Sequence, residues 1–344
     1  MEIPSIFLNR ILSEVAKKGA SNLHLSVGSL PMIRINDQLT PMEGEQIITT
    51  ETLNKIIESI ITQEEAPKLK ENREIVIVKE FAGSFRFRIN IFYQKDLPTL
   101  SFHYIPGTLK TLDNLKVPKV IYEFLKLDTG LIIIAGSYNS GKSTTAAAFV
   151  EEVNKTMSKY IITIEDPIEH LFVNKKSIIE QRQVGRDVKS ITAGIDYCLN
   201  EDVDLVYIGE IKREFASAMP LILELAAGNC LVVMEMNADS SVRLIEKTLG
   251  SMGTKLSIEA VRYSVADVLV GIIVQKLFSR YGGGSAVAAE VLLVNPAVKS
   301  LIREGKIYQL ESAMQTFRQE GMISMDKAIE ELIASGEVRQ EDIS

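Results

Sequence analysis

Two hydrophobic rhythms divide this chain. In the first part, apolar positions form helical stripes and short alternating runs. Leu8, Ile11, Leu12 and Val15 recur at helical spacing, and Gly19 suits the C-terminal cap of that helix. Residues 23–27 and 32–35 read as short strands, with Asn36-Asp37 as a turn. Thr50 is placed to cap a helix carrying Leu53, Ile56, Ile57 and Ile60. A strand over 74–78 follows. Residues 84–94 then alternate: Phe85, Phe87, Ile89 and Ile91 share one face, and Arg86, Arg88 and Asn90 share the other. Residues 99–105 read as the neighbouring strand. The pattern predicts a small α+β domain over residues 1–106.

Pro106-Gly107 opens a connecting stretch over 107–117, after which the rhythm changes. Apolar runs of strand length at 131–135, 160–164, 205–208, 231–234 and 290–294 alternate with longer helical segments. That order predicts an α/β domain over 118–294, with a mostly parallel sheet between helices. A helical extension fills 295–344. One helix starts at Asn295-Pro296 and stops near Gly305; another starts at Ser324 and stops near Gly336. Gly282-Gly283-Gly284 reads as a local turn.

Composition narrows the function classes. With 344 residues, 46% apolar and 24% charged, the chain has the makings of two or three globular domains. Asp plus Glu outnumber Lys plus Arg by 45 to 38, for a net charge of −7. That balance argues against holding nucleic acid by bulk electrostatics. The two cysteines, Cys198 and Cys230, lack metal-ligand spacing and fit small buried residues in a reducing cytosol. The start has no secretory-leader pattern, and no apolar stretch approaches the roughly 20 residues that span a bilayer. The expected location is cytoplasmic.

The strongest chemical signal is Gly136-Ser137-Tyr138-Asn139-Ser140-Gly141-Lys142-Ser143, which fits G-x-x-x-x-G-K-[ST]. It follows the apolar run 131–135 and opens an alanine-rich helix at Thr144. Phosphate binding needs that order, because loop and helix-start N–H groups wrap the anion while glycines let the backbone come close. Lys142 would bridge the β and γ phosphates of ATP, and Ser143 would ligate Mg²⁺. Asn139 stands where a left-handed residue is tolerated. Read alone, the segment could be a polar turn with a surface lysine; its place between strand and helix argues otherwise.

Two further apolar runs end in acids. Residues 160–164 lead into Glu165-Asp166-Pro167, and residues 205–208 lead into Gly209-Glu210. Ligands of a parallel sheet sit outside the carboxyl ends of its strands, so Lys142, Glu165 and Glu210 are expected at one edge. One carboxylate would serve the Mg²⁺ shell and the other would orient and deprotonate the attacking water.

With these residues in place, the chain resembles the secretion-type ATPases, and within them the PilT family of type IV pilus retraction ATPases. Residues 19–26 (GASNLHLS) are similar to that family's "GASDLHLS". Residues 85–90 resemble its "RFRVN" strand, residues 163–169 (TIEDPIE) its Asp box, and Gly209-Glu210 its Walker B variant. Residues 181–187 (QRQVGRD) match the segment that follows the Asp box, and residues 297–306 (AVKSLIREGK) resemble its "AIRNLIREGK" helix. The resemblance implies a RecA-like P-loop core, a PAS-like first domain, and a homo-hexameric ring or a hetero-hexamer with a paralogous ATPase. It also implies ATP and Mg²⁺, a pilus platform protein in the inner membrane as partner, and a position at the inner face of that membrane. Glu165 would be the catalytic base, and Glu210 would support Mg²⁺ and water. Arg86 and Arg88 would face nucleotide or a neighbouring subunit, unless they only furnish an exposed strand face.

The chain departs from the family where extra donors are expected. The "GHLVFGTLHT" box reads 228–238 as GNCLVVMEMNA, without histidine. The arginine pair of "LRxxLRxDPD" is absent from 195–204, "GEMRD" reads GEIKR at 209–213, and "RxIP" reads HYIP at 103–106. Loss of such donors removes stabilisation worth orders of magnitude in rate. The readings carried forward are a pilus-type motor, a paralogue that binds ATP with little turnover, and a kinase or nucleic-acid translocase. Motif order disfavours the kinase, and charge disfavours the translocase.

Overall fold

The computed structural model describes residues 4–35, 38–81, 85–252, 257–281 and 284–343. The expected turns at Asn36-Asp37 and Gly282-Gly283, and Ser84, lie outside them. The chain divides into two compact units, Met1–Thr108 and Leu109–Ser344.

The first unit contains α1 (Pro4–Lys17), β1 (Asn22–Ser26), β2 (Met32–Ile35), β3 (Gln38–Pro41), α2 (Thr50–Ile60), α3 (Glu65–Asn72), β4 (Glu74–Phe81), β5 (Phe85–Gln94) and β6 (Leu97–Ile105). Its strands form one antiparallel sheet in the order β3-β2-β1-β6-β5-β4. The apolar stripe of α1 and the inward residues of α2 bury against one face of it, with Phe87 and Phe102 edge to face at 6.3 Å. Thr49, not Thr50, caps α2, accepting from the Thr52 N–H at 3.2 Å. β5 shows the expected alternation: Phe87, Ile89 and Ile91 are buried, while Arg86 and Arg88 are half-buried on the opposite face.

The second unit contains α4 (Leu112–Leu115), α5 (Ile121–Phe124), β7 (Gly130–Gly136), α6 (Lys142–Thr156), β8 (Tyr160–Glu165), β9 (Ile178–Gln183), α7 (Ile191–Leu199), β10 (Leu205–Ile208), α8 (Phe215–Ala227), β11 (Leu231–Met236), α9 (Ser241–Met252), α10 (Ile258–Val268), β12 (Leu269–Ser279), β13 (Ser285–Leu293), α11 (Pro296–Glu304), α12 (Leu310–Thr316) and α13 (Met325–Ala334). The sheet runs β13-β12-β7-β11-β10-β8-β9, parallel throughout except for the antiparallel β12–β13 pair.

Strand alternation sorts the side chains of this sheet between two cores. Ile132 and Ile134 of β7, Tyr207 of β10 and Val233 of β11 face α6, packing with Phe149 and Val150. Leu131, Ile133, Ile208 and Met234 face the other way, against α7, α8, α9 and α10. Cys198 and Cys230 are buried free thiols on that side. The tail belongs to this unit as well. Val291 of β13 and Ile323 exchange backbone hydrogen bonds of 2.8 and 3.0 Å. Glu337 binds both Lys116 and Arg280.

Candidate nucleotide site

β7 ends at Gly136, where the chain turns into the loop before α6. Gly136 is obligatory there: a Cβ would sit 2.3 Å from Ser140 Oγ and 2.5 Å from the Gln275 carbonyl. Asn139 (φ 62°) and Gly141 (φ 87°) take left-handed backbone, which turns the loop back on itself. No side chain caps the N-terminus of α6, so its first N–H groups point into the loop with the helix dipole behind them. Ser140 Oγ is buried there without a hydrogen-bond partner. Tyr138 is 68% exposed at the tip, and Ser137 is exposed beside it. Thr144 is half-buried in the first turn of α6.

Lys142 reaches back across this loop and is 5% exposed. Its Nζ donates to the carbonyls of Gly136 (3.1 Å) and Ser137 (2.8 Å) and to Asn237 Oδ1 (2.9 Å). Burial pushes its pKa down, and the carboxylates of Glu210, Glu235 and Glu169 oppose that shift. Asn237 in turn donates its Nδ2 to Glu210, which is half-buried beyond the end of β10. Lys142 and Glu210 are thus joined through one amide.

Glu165 closes β8 on the α6 face and is 6% exposed. Its Oε1 accepts from Thr163 Oγ1 at 2.6 Å and Gln181 Nε2 at 3.2 Å. Desolvation dominates over those two bonds, and neighbouring Glu235 and Glu169 add to it, so the carboxyl is pushed up to about 7. Gly209 lies directly beside it; a Cβ there would meet the Glu165 Cα at 3.5 Å. Lys212 is held at Asp166, donating to its carbonyl at 2.7 Å.

One acid escaped the sequence reading. β11 does not stop at Met234 but runs to Met236, and Glu235 within it is 2% exposed. Alternation places it with Leu231 and Val233 on the α6 face. There it accepts from Ser143 Oγ at 2.9 Å and from the Tyr207 hydroxyl. Burial pushes its carboxyl up to about 7 against those two bonds. A lone acid inside Leu-Val-Val-Met-Glu-Met was the available signal. Arg86 and Arg88 belong to the first unit, on the open face of β5.

These groups fit a nucleoside triphosphate with its cation. The uncapped helix start, the two left-handed residues and Lys142 suit an anion. Ser143 and Glu235 offer hard oxygen donors, as magnesium requires. Among the described residues no three His, Cys, Asp or Glu side chains cluster tightly enough to hold a metal by themselves. A cavity of about 770 Å³ opens beside Gly141 and Thr144, bordered by Leu277, Arg280, Lys116 and Val287. That volume is within the range of small-molecule sites.

Comparison with known proteins identifies the family. Residues 107–343 match the family described as "Type II/IV secretion system protein". The chain is 32% identical over 340 residues to the "Type IV pilus retractation ATPase PilT" of Pseudomonas aeruginosa, covering 97% of this chain and 96% of that one. It is 31% identical over 314 residues to a "Twitching motility protein" of Neisseria gonorrhoeae, covering 90% and 82%. Superposition on the crystal structure of "the Pilus Retraction Motor PilT and Bound ADP" gives a TM-score of 0.83 over 97% of this chain and 95% of that one. With a RecA-like core, a P-loop in place and near full-length likeness in sequence and shape, the chain belongs to the type II/IV secretion system protein family, in its PilT-like branch of type IV pilus retraction ATPases.

Proposed function

We propose that this chain binds ATP with Mg²⁺ on Gly136 to Thr144, hydrolyses it with Glu165 as base, and acts as a motor subunit of a type IV pilus system. The observation that carries the reading is the pairing of a buried Lys142 with a buried Glu165 on one face of one sheet. The loop N–H groups cradle the phosphates, and Lys142 exchanges its carbonyl partners for phosphate oxygens. The cavity beside Thr144 receives the nucleoside. Ser143 would hold magnesium here, and the bound cation would supply positive charge to the phosphates. Thr163 and Gln181 both hold Oε1 of Glu165, leaving Oε2 to take the proton of the attacking water. Glu210, fixed through Asn237, supports the water and cation from outside. The P–O bond to the leaving ADP breaks as the water oxygen bonds to the γ phosphorus.

The likeness to pilus motors supports a six-membered ring, of one chain or shared with a paralogue, acting on a platform protein at the inner membrane face. No described helix is long and apolar enough to cross a membrane itself. Arg86 and Arg88 are proposed to face nucleotide or a neighbouring subunit. A steady-state phosphate-release assay with Glu165→Gln as control tests the enzyme: release above the control supports turnover, and equality with it removes the motor. Native mass spectrometry with and without ATP tests the ring, which a monomer under both conditions excludes.

A second reading, a ring subunit that binds ATP with little turnover, is favoured by one observation. The cation and amide beyond the strand ends, Lys212 and Asn237, are already engaged, with Asp166 and with Lys142 and Glu210 respectively. Neither carries the arginine fork that binds phosphate oxygens in pairs.

A further inference from the structure

We propose that Glu235 is the inner carboxylate of the magnesium site, a positioning residue that aims the Ser143 hydroxyl and brings the compensating negative charge to the cation. The inference deepens the ATP-binding reading above and rests on it.

β11 lies between β7, which feeds the phosphate loop, and β10, which feeds Glu210. Register places Glu235 opposite Ile134, two residues before Gly136. Every other residue of β11 is apolar, and all of them are buried. A carboxylate in such a place is unfavourable unless something compensates it. The contacts that hold it are two hydroxyls, Ser143 on one oxygen and Tyr207 on the other, both uncharged. They fix the orientation of the carboxyl but supply no charge. Lys142 is the favourable charge acting on it, and that side chain is spread over two carbonyls and Asn237.

A second observation points to a ligand of the phosphate loop. Ser140 Oγ, in the loop that Ser143 follows, is 3% exposed and without a partner. The loop therefore carries a buried hydroxyl whose hydrogen-bonding need the fold leaves unmet. A divalent cation bound to phosphate meets the acid's need, since it accepts hard oxygen donors and brings positive charge. Glu210 is less suited to this inner role. It is half-buried, and its carboxylate is engaged by Asn237 rather than by Ser143.

The test is the magnesium dependence of nucleotide binding, read with a fluorescent ATP analogue titrated at fixed magnesium concentrations and in EDTA. In the parent protein, magnesium is expected to tighten binding. Glu235→Gln, which keeps the shape and can still accept from Ser143, is expected to raise the half-saturating magnesium concentration at least tenfold. Its affinity in EDTA should stay within about twofold of the parent. Glu235→Asp should recover part of the magnesium response, and Tyr207→Phe should weaken it about threefold. Thermal unfolding without nucleotide identifies a variant that has merely lost its fold, in which case Tyr207→Phe carries the test. An unchanged magnesium response in Glu235→Gln, or in Tyr207→Phe when it stands in, overturns the inference while leaving ATP binding intact. Failure of the parent to bind the analogue, with or without magnesium, overturns the underlying reading instead.

Discussion

The open face of β5 and the carboxyl edge of the large sheet both carry charged residues on apolar strands, and they treat them in opposite ways. On β5, alternation turns Arg86 and Arg88 to a half-buried face. At the edge of the large sheet, Lys142, Glu165 and Glu235 are drawn inside and held by short-range partners. The difference is one of topology. An antiparallel sheet with one packed face can set its polar residues outward along the strand. A parallel sheet packed on both faces can place them only at strand ends or at a cost within. Charged groups kept at such a cost are where chemistry is concentrated, whereas those on an open face steer or dock.

That contrast makes ordered predictions. The largest effect is expected for Glu165→Gln, which should lower phosphate release by about 10²–10⁴-fold, with nucleotide affinity within about threefold of the parent by fluorescence titration. Lys142→Ala should weaken nucleotide binding about 100-fold, in line with loss of a desolvated charge contact of roughly 3 kcal/mol. If it binds ATP normally, the buried edge is structural and the contrast fails.

Acidity should matter next. A base must be unprotonated, and the Glu165 carboxyl sits at about 7. Phosphate release should therefore rise with pH through 7 and fall about tenfold per unit below it; a flat profile from pH 6 to 8 contradicts the assignment. Stability follows the same group with the opposite sense. Unfolded, it ionises near its ordinary 4.5. Between 4.5 and 7 the folded state keeps a proton that the unfolded chain releases, so stability declines as pH rises through that window. Glu165→Gln removes this group's share of the decline, while Glu235, also raised to about 7, keeps its own. Its Tm should match the parent below pH 4.5 and exceed it by roughly 10 °C above pH 7, measured by calorimetry. The smallest effect is expected for Arg86→Ala with Arg88→Ala, about threefold in nucleotide affinity at low salt and less at high salt. A loss as large as that of Lys142→Ala would erase the distinction between the two faces.

Much of this was legible in the residues. The phosphate loop announces itself because its glycines answer backbone demands that no other residue meets, as the 2.3 Å approach at Gly136 shows. Glu165 and Glu210 were visible because acids terminate apolar runs. Glu235 was not, because it lies inside a buried strand, where an acid runs against the apolar pattern; the alternation of Leu231, Val233 and Glu235 reveals its direction. Asn237 was out of reach. It joins Lys142, 95 residues away, to Glu210, 27 residues away, and an uncharged amide gives no local signal of such a role. β9 was missed because its Glu180, Gln181 and Arg182 dilute the apolar pattern at the edge of the sheet. β3, exposed throughout, had no inward face to detect.

The backbone pairing of Val291 with Ile323 gives the tail a duty of its own. β13 is the outermost strand on its side, and a bare border of that kind invites the strand of a stranger to add on. The loop at Ile323 occupies part of that border, and Glu337 fastens the segment behind it to Lys116 and Arg280. Cutting the protein at residue 320 would turn a finished margin into an adhesive one, seen as rising light scatter on storage. A purification handle placed after residue 343 would leave the margin sealed.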